Sequence, residues 1–390
     1  MQWTLSRDLF EPVGLSVHAV ELVGFFSTVA MRGLEEVLLL EPPWQPGEAV
    51  GPVAAWLKTH PSLSLPFRGL LDRGPRLSAG RARMRGQESC DQPVFWHLAP
   101  SSPIRVMAQN PSDWPARMLT LPDALDLLCE PVQLVLENRR HDFVFLRHLA
   151  GPTDGDRLQA LHEAPGRMVV HGGGGGEIRA WLNEFQGTSE DLSPAQWRRL
   201  LRSWVMFDRD VGEDALEPSR AALQQLELLG KLRQKRGDVL CWVCLERREI
   251  ESYTPDIGLI ELSSGPVQQN FAREVIRWRQ EPNRERWAWS LDLKKGLRGD
   301  LSSSLTKEQR DEAKKQGFDL SGNLLKSPFN TLSPQEVTVL QDGFTDKRIN
   351  TGLSQVPPPP WTRELPREYE RGPASQAPRE ALIQSLLDRY

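Results

Sequence analysis

Two aspartates, Asp208 and Asp210, end the apolar run SWVMFDRD and give the sequence its sharpest chemical signal. If the run is a β-strand, residues two apart point to the same side, because strand side chains alternate between faces. Mg²⁺ prefers oxygen ligands from one or two carboxylates, completed by water and substrate phosphates, so the pair suits magnesium better than zinc. Alone, such a pair is more often solvated loop charge. The acids elsewhere in the chain favour the metal-binding interpretation.

Further acids stand at the ends of two other apolar runs. Glu137 ends VQLVLE, while Glu249 and Glu251 follow VLCWVCL with the same spacing of two. Acids at corresponding ends of neighbouring parallel strands converge in space although they lie far apart in sequence. We therefore expect Glu137, the two aspartates and one of the two glutamates to form a metal-binding cluster.

The elements that must position these acids have the pattern of β-α units on a largely parallel sheet. Apolar runs alternate with helical patterns from about residue 130 to 258. The run GRMVVH enters a glycine loop, Gly172–Gly176, which permits positive φ and close backbone approach. The loop could wrap a phosphate or let a neighbouring strand end pack closely. It is not a Walker A loop, because no Gly-Lys-Ser/Thr follows it.

Taken together, these segments resemble the Toprim domain, and more closely its OLD-family nuclease branch, which includes stand-alone Toprim subunits of bacterial anti-phage systems. The resemblance covers roughly a third of the chain and rests on LVLE, VVHGGGGG before a helix, VMFDRD and RREIESY. In the last motif, Arg248, Ile250, Glu251 and Tyr253 match the branch's Arg-x-Ile-Glu-x-Tyr signature. The fold expected is therefore a Toprim-like α/β core.

The resemblance implies a nuclease that cleaves DNA or RNA with Mg²⁺ or Mn²⁺, as the effector subunit of an anti-phage defence system. Glu137 would ligate a metal or act as general base, and Asp208, Asp210 and Glu251 would ligate metal. It also implies a basic residue downstream that faces the metal site. Lys294 or Lys295 in the run SLDLKKGLRGD could supply it, and we choose Lys294, although a solvated basic face is the commoner fate of such a run.

Two departures from the family pattern matter. Asn138 replaces a glycine that family members often have after the acid, and Asp142 sits one residue later than expected, which leaves its role in doubt. OLD-type nucleases also work with an ATPase domain, whereas this chain carries no ATPase motif. Any ATPase must therefore be a separate partner subunit.

The remaining regions carry weaker signals. We expect a mostly helical N-terminal region of unknown role over residues 1–128, a core over 129–258, a helical extension over 259–350 and a Pro- and charge-rich tail over 351–390 that we would not force into a fold. The Arg-rich loop from Arg73 to Arg85 could touch phosphates, although a solvated face is the blander interpretation. The oligomeric state is open, a homo-oligomer included.

Composition limits the function classes. The net charge of −4 and the pI of about 6.1 give no global attraction to nucleic acid, so polyanion binding must use local basic patches. Four cysteines are too few for a disulfide framework, and Cys241 and Cys244 are expected to be buried strand thiols rather than a redox or metal pair. Without a secretory signal or an apolar stretch of bilayer length, we expect a cytoplasmic protein that does not enter membranes.

One rival function belongs to another class. A Toprim-like subunit could bind an ATPase partner or nucleic acid as a sensor or scaffold without catalysing any reaction. A topoisomerase is disfavoured, because its nucleophilic tyrosine sits in a separate domain. This chain has only Tyr253, Tyr369 and Tyr390.

Overall fold

The computed structural model describes most of the chain. The described residues are 2–34, 38–40, 50–67, 95–98, 103–108, 111–186, 192–302, 305–315, 324–344, 349, 352–353, 355, 358–372 and 376–389. The Arg-rich loop from Arg73 to Arg85 and Cys90 lie outside them. The described strands are β1 (Trp3–Leu5), β2 (Leu38–Leu40), β3 (Trp96–His97), β4 (Ile104–Met107), β5 (Met118–Thr120), β6 (Val132–Leu136), β7 (Met168–His171), β8 (Ser203–Phe207) and β9 (Cys241–Cys244).

Helices cover much of the rest of the described chain. They are α1 (Pro12–Met31), α2 (Val50–Lys58), α3 (Pro61–Ser64), α4 (Leu121–Cys129), α5 (His141–Glu163), α6 (Gly175–Asn183), α7 (Pro194–Leu201), α8 (Arg220–Arg236), α9 (Asp256–Leu262), α10 (Pro266–Gln280), α11 (Glu285–Ser290), α12 (Lys307–Lys315), α13 (Pro334–Leu340), α14 (Leu365–Glu370) and α15 (Arg379–Leu387).

The central sheet has the strand order β3-β9-β8-β6-β7. Strands β6 to β9 pair in parallel, and β3 adds an antiparallel edge. The inner strands β6, β8 and β9 are buried along their whole length, as expected of a parallel sheet covered by helices on both faces. This confirms the predicted α/β core with a largely parallel sheet. Cys241 and Cys244 are buried in β9, as predicted.

A second parallel sheet occupies the N-terminal region, with the order β2-β1-β4-β5. We had expected this region to be mostly helical, and it does contain α1 to α4. The sheet was missed because three of its strands are only three residues long, which is too short for an alternating pattern to be recognised.

The segment that we predicted to be a helical extension contains α10 to α13 and has its own core. Phe271 and Trp278 of α10 pack there with Phe329 and with apolar side chains from α11 and α13. Val211 and Ala215, from the loop that follows β8, belong to the same core. The extension is therefore packed directly against the segment that carries Asp208 and Asp210.

The C-terminal tail, to which we had assigned no fold, contains helices α14 and α15. Its apolar side chains join the main core, and α14 and α15 both pack against α5. Buried polar contacts fix the position: Trp204 Nε1 donates to Ser385 Oγ at 3.0 Å, and Arg247 pairs with Glu368 at 2.7 Å. Pro366 lies in the first turn of α14, and Pro378 directly precedes α15.

Helix α1 is, among the described residues, a helix long and apolar enough to cross a membrane by length and composition. Our sequence analysis found no stretch of that length. Only 28% of its most apolar window is buried. Core helices and signal sequences have the same properties, so this observation is weak by itself.

Candidate active site

The carboxyl edge of the central sheet carries the predicted acids. Glu137 directly follows β6 and Asp208 directly follows β8, and these two strands are neighbours. The backbone N–H of Asp208 donates to Oε2 of Glu137 at 3.1 Å, which links the two strand ends. The predicted convergence of these two acids is therefore present in the structure.

The glycine loop packs against the same edge. The N–H groups of Gly173 and Gly174 donate to the carbonyl oxygen of Glu137 at 3.3 and 2.8 Å. A Cβ on Gly172 would lie 2.5 Å from the backbone nitrogen of Arg139, and Gly174 has a φ of +89°. Of the two roles we considered, the structure shows close packing of a strand end: the loop holds the backbone of Glu137 in place.

Mutual repulsion marks the acids as a cluster. Burial raises the pKa of Glu137, and Asp210 raises it further, against a hydrogen bond from the backbone of Asp208. Burial also raises the pKa of Asp208 well above its ordinary range, and four other carboxyl groups add to the effect, in the order Asp142, Glu137, Glu251 and Glu249. Burial is the main cause of both shifts, and the neighbouring carboxyl groups add to it because they lie close together.

Asp142 is the residue that our sequence analysis left in doubt. It lies in the first turn of α5, is only 2% exposed and accepts a hydrogen bond from the N–H of Asn138 at 2.7 Å. Burial, together with Glu251 and Glu137, raises its pKa to about 7. The structure thus brings Asp142 into the cluster despite its unexpected spacing.

Asp210 lies at the rim rather than on the same strand face as Asp208. Strand β8 ends at Phe207, so the alternation that we assumed does not reach Asp210. Its φ is +49°, its side chain is exposed, and its N–H donates to the carbonyl oxygen of Arg248 at 2.9 Å. The electrostatic effect on Glu137 still places its charge near the cluster.

Glu249 and Glu251 reach the site by a different route from the predicted strand. Strand β9 ends at Cys244, and Ile250–Tyr253 form a 3-10 helix, so the assumed period of two does not apply. Lys294 nevertheless contacts both carboxylates. Its Nζ lies 3.3 Å from Oε1 of Glu251 and forms a shorter contact with Oε2 of Glu249. The structure therefore places Lys294, and not the exposed Lys295, beside the acids.

Even with Lys294 present, the pKa values of both glutamates are raised above their ordinary range. Burial and then Glu251 raise the pKa of Glu249 to about 8, against the opposing effect of Lys294. Burial likewise raises the pKa of Glu251. Burial alone would lower the pKa of Lys294, but the two glutamates raise it above its ordinary value, so Lys294 stays charged.

The signature residues Arg248 and Tyr253 have structural contacts. Arg248 pairs with Asp300, and its Nη2 lies 3.4 Å from Oδ2 of Asp292. Asp292 in turn accepts a hydrogen bond from the N–H of Lys294 at 2.9 Å. The Tyr253 ring is fully buried, and its hydroxyl donates to Gln376 at 3.0 Å. These residues anchor the segment that carries Glu249 and Glu251.

The donor chemistry of the cluster fits a hard divalent cation. Among the described residues, no three His, Cys, Asp or Glu side chains are already arranged as a cation site. Mg²⁺ commonly takes only one or two carboxylates and completes its shell with water and phosphate. Buried carboxyl groups whose repulsion raises their pKa values are groups whose charge such a cation would offset.

Comparisons with protein-family models, with curated proteins and with solved structures found no match to this chain.

Proposed function

We propose that this chain is a Toprim-like nuclease of the OLD type, which cleaves DNA or RNA with Mg²⁺ or Mn²⁺. The observation that carries the proposal is the convergence of acids with the half-buried Lys294 at the carboxyl edge of the sheet. Glu137 and Asp208 follow neighbouring strands at this edge, and Lys294 contacts both Glu249 and Glu251. This edge is where open α/β sheets bind their ligands. The motifs LVLE, VMFDRD and RREIESY support the same assignment.

Glu137, Asp208, Asp210 and Glu251 would hold the metal. When bound, it supplies an activated water and offsets charge on the scissile phosphate. The hydrogen bonds to the carbonyl and carboxylate oxygens of Glu137 fix that residue before substrate arrives. Lys294 provides a fixed positive charge, which favours the negative charge that develops on the phosphate in the transition state.

We further propose that the chain acts as the effector of an anti-phage system with a separate ATPase subunit. The sequence has no Walker A motif, whereas OLD-type nucleases work with an ATPase. Lys294 also pairs with both glutamates. A metal that used Glu251 would compete with Lys294 for this carboxylate, which is compatible with a nuclease that needs an activating partner.

The same contact favours a second candidate, a non-catalytic sensor or scaffold subunit. If Lys294 permanently neutralises the two glutamates, the site needs no metal. The two candidates differ in whether Mn²⁺ binds, and this can be measured without any substrate.

The test uses the purified full chain, alone and with any ATPase that is encoded next to its gene, on plasmid, single-stranded DNA and tRNA with Mg²⁺ or Mn²⁺. Asp208→Asn is the test variant, and Glu213→Gln is the control, because Glu213 is an exposed acid of the same loop. Cleavage that is lost only with Asp208→Asn supports the nuclease. Cleavage that persists in this variant contradicts it, and absence of both cleavage and Mn²⁺ binding favours the scaffold.

A further inference from the structure

The N-terminal sheet has a topological switch point between β1 and β4. From β1 the chain passes through α1 to β2 on one side, and β4 later returns on the other side of β1. Where the strand order reverses in this way, the connections leave in opposite directions and open a crevice at the carboxyl ends of the strands. Ligands of open α/β sheets bind in such crevices.

A cleft of about 1190 Å³ lies at this position. One wall includes Ser6 and Asp8, which follow β1, and Met107, which ends β4. The facing wall comes from the central unit: Trp197 lies on α7 and Lys235 on the last turn of α8. The cleft is slightly larger than the usual range for small-molecule sites, and it lies between two structural units, where such sites are common.

Asp8 supplies an acceptor that needs a donor. Its Oδ2 accepts a hydrogen bond from the N–H of Ala108 at 3.2 Å, which ties the ends of β1 and β4 together. Its Oδ1 is buried and has no hydrogen-bond partner among the residues that the structure describes. A buried carboxylate oxygen without a partner is costly, so a ligand with O–H or N–H donors would be favoured here.

The other lining residues add positive charge and apolar surface. Arg105, Lys235 and Arg236 line the cleft, and Asp113 and Asp123 add negative charge. Trp114, Trp197, Met107 and Met118 supply the apolar lining. A matching ligand therefore has an anionic group, hydroxyl or amine donors, and a flat apolar part.

We propose that this cleft binds a nucleoside phosphate. Ribose hydroxyls would donate to Asp8, the phosphate would lie toward Lys235 and Arg236, and the base would contact the apolar lining. The site lies between the N-terminal sheet and helices of the central unit, and it shares no residue with the acid cluster. The proposal does not depend on the nuclease assignment.

The test measures binding of ATP, GTP, AMP, adenosine and inorganic phosphate to the full chain by isothermal titration calorimetry. Asp8→Asn keeps an oxygen for the N–H of Ala108 but removes the charged acceptor. We expect it to weaken nucleotide binding about tenfold, or roughly 1.4 kcal/mol. An unchanged unfolding midpoint would show that the fold is retained. The matched acid control is Glu11→Gln, because Glu11 is exposed and does not line the cleft.

A second pair of variants tests the phosphate end. Lys235→Gln should weaken ATP and AMP binding severalfold and leave adenosine binding unchanged. Lys231→Gln is the control, because Lys231 lies one turn earlier on α8, pairs with Glu227 and does not line the cleft. These results would identify a nucleotide site without reference to cleavage.

Three outcomes would overturn the proposal. The first is failure of every nucleotide to bind at millimolar concentration. The second is inorganic phosphate binding as tightly as ATP, since the ribose and base would then contribute nothing. The third is nucleotide binding that is unchanged by both Asp8→Asn and Lys235→Gln, which would place the site elsewhere.

Discussion

Replacing Lys294 by methionine is the sharpest test of the electrostatic structure of the acid cluster. Methionine keeps much of the length and apolar stem of lysine but removes the charge that faces Glu249 and Glu251. Removing one partner of a buried ion pair typically costs about 3–5 kcal/mol, because the remaining charge is left without compensation. Lys295→Met is the matched control, since Lys295 is the next residue and is exposed.

The loss should depend on pH in a defined direction. In the folded wild type, the pKa of Glu249 is raised from 4.5 to about 8, which corresponds to roughly 5 kcal/mol of preference for the protonated form. The native state thus holds a proton that the unfolded chain has lost, so this group's contribution to stability falls as pH rises from 4.5 to about 8. Without Lys294 the pKa of Glu249 rises further, and the fall continues above pH 8.

At pH 6, Glu249 is protonated in both proteins, and the variant should lose only about 1 kcal/mol, the usual contribution of a hydrogen bond. At pH 9 the difference should reach about 3–5 kcal/mol. Urea unfolding followed by circular dichroism measures both values. A loss that is equal at the two pH values, or a Lys295→Met variant that is destabilised as much, would refute the assignment of Lys294 as the charge partner of these glutamates.

Three further predictions concern the site and its support. Asp208→Asn should abolish cleavage. The unfolding midpoint in urea should stay equal or rise, because the change removes repulsion within the cluster, and a falling midpoint would contradict this. Glu251→Asp should lower the cleavage rate at least about tenfold, or roughly 1.4 kcal/mol of barrier, whereas Glu249→Asp should change it little. Glu251 is the signature acid, and it raises the pKa of both Asp208 and Asp142. The reverse order of sensitivities would show that the motif register is wrong. Deleting residues 376–390 removes four buried aliphatic side chains of α15 and the burial that contributes about 1.5–3 kcal/mol for each, a total comparable to the whole stability of a domain, so circular dichroism should show an unfolded chain. A cooperative native transition would contradict the packing.

The core could be predicted from the sequence because its strands are apolar runs, two of which, β6 and β8, end directly before an acid. Such runs are long enough to identify. In a parallel sheet the carboxyl ends of the strands lie at the same edge, independently of the conformation of the loops between them. Asp142 could not be assigned in this way. It belongs to the start of α5, and its place in the cluster depends on how that helix begins after Glu137.

The N-terminal sheet and the folded tail were not predicted, for two different physical reasons. The strands of the N-terminal sheet are so short that their burial is set by tertiary contacts rather than by a repeating pattern. The tail contains many prolines, which favour extended chain locally. Buried contacts such as those of Trp361 and Tyr369 outweigh that local preference.

The two arginines before the glutamates connect the site to the C-terminal helices and to the extension. Arg247 and Arg248 are adjacent and buried, yet Arg247 pairs with Glu368 of α14, and Arg248 pairs with Asp300 of the extension. The backbone that leads to Glu249 is therefore held between the C-terminal helices and the extension. The Arg248–Asp292 contact also ties this backbone to the loop that carries Lys294. Lys294 and Glu249 are therefore both positioned through the contacts of Arg248. A partner that displaces the extension would break these contacts and change the charge balance among the acids.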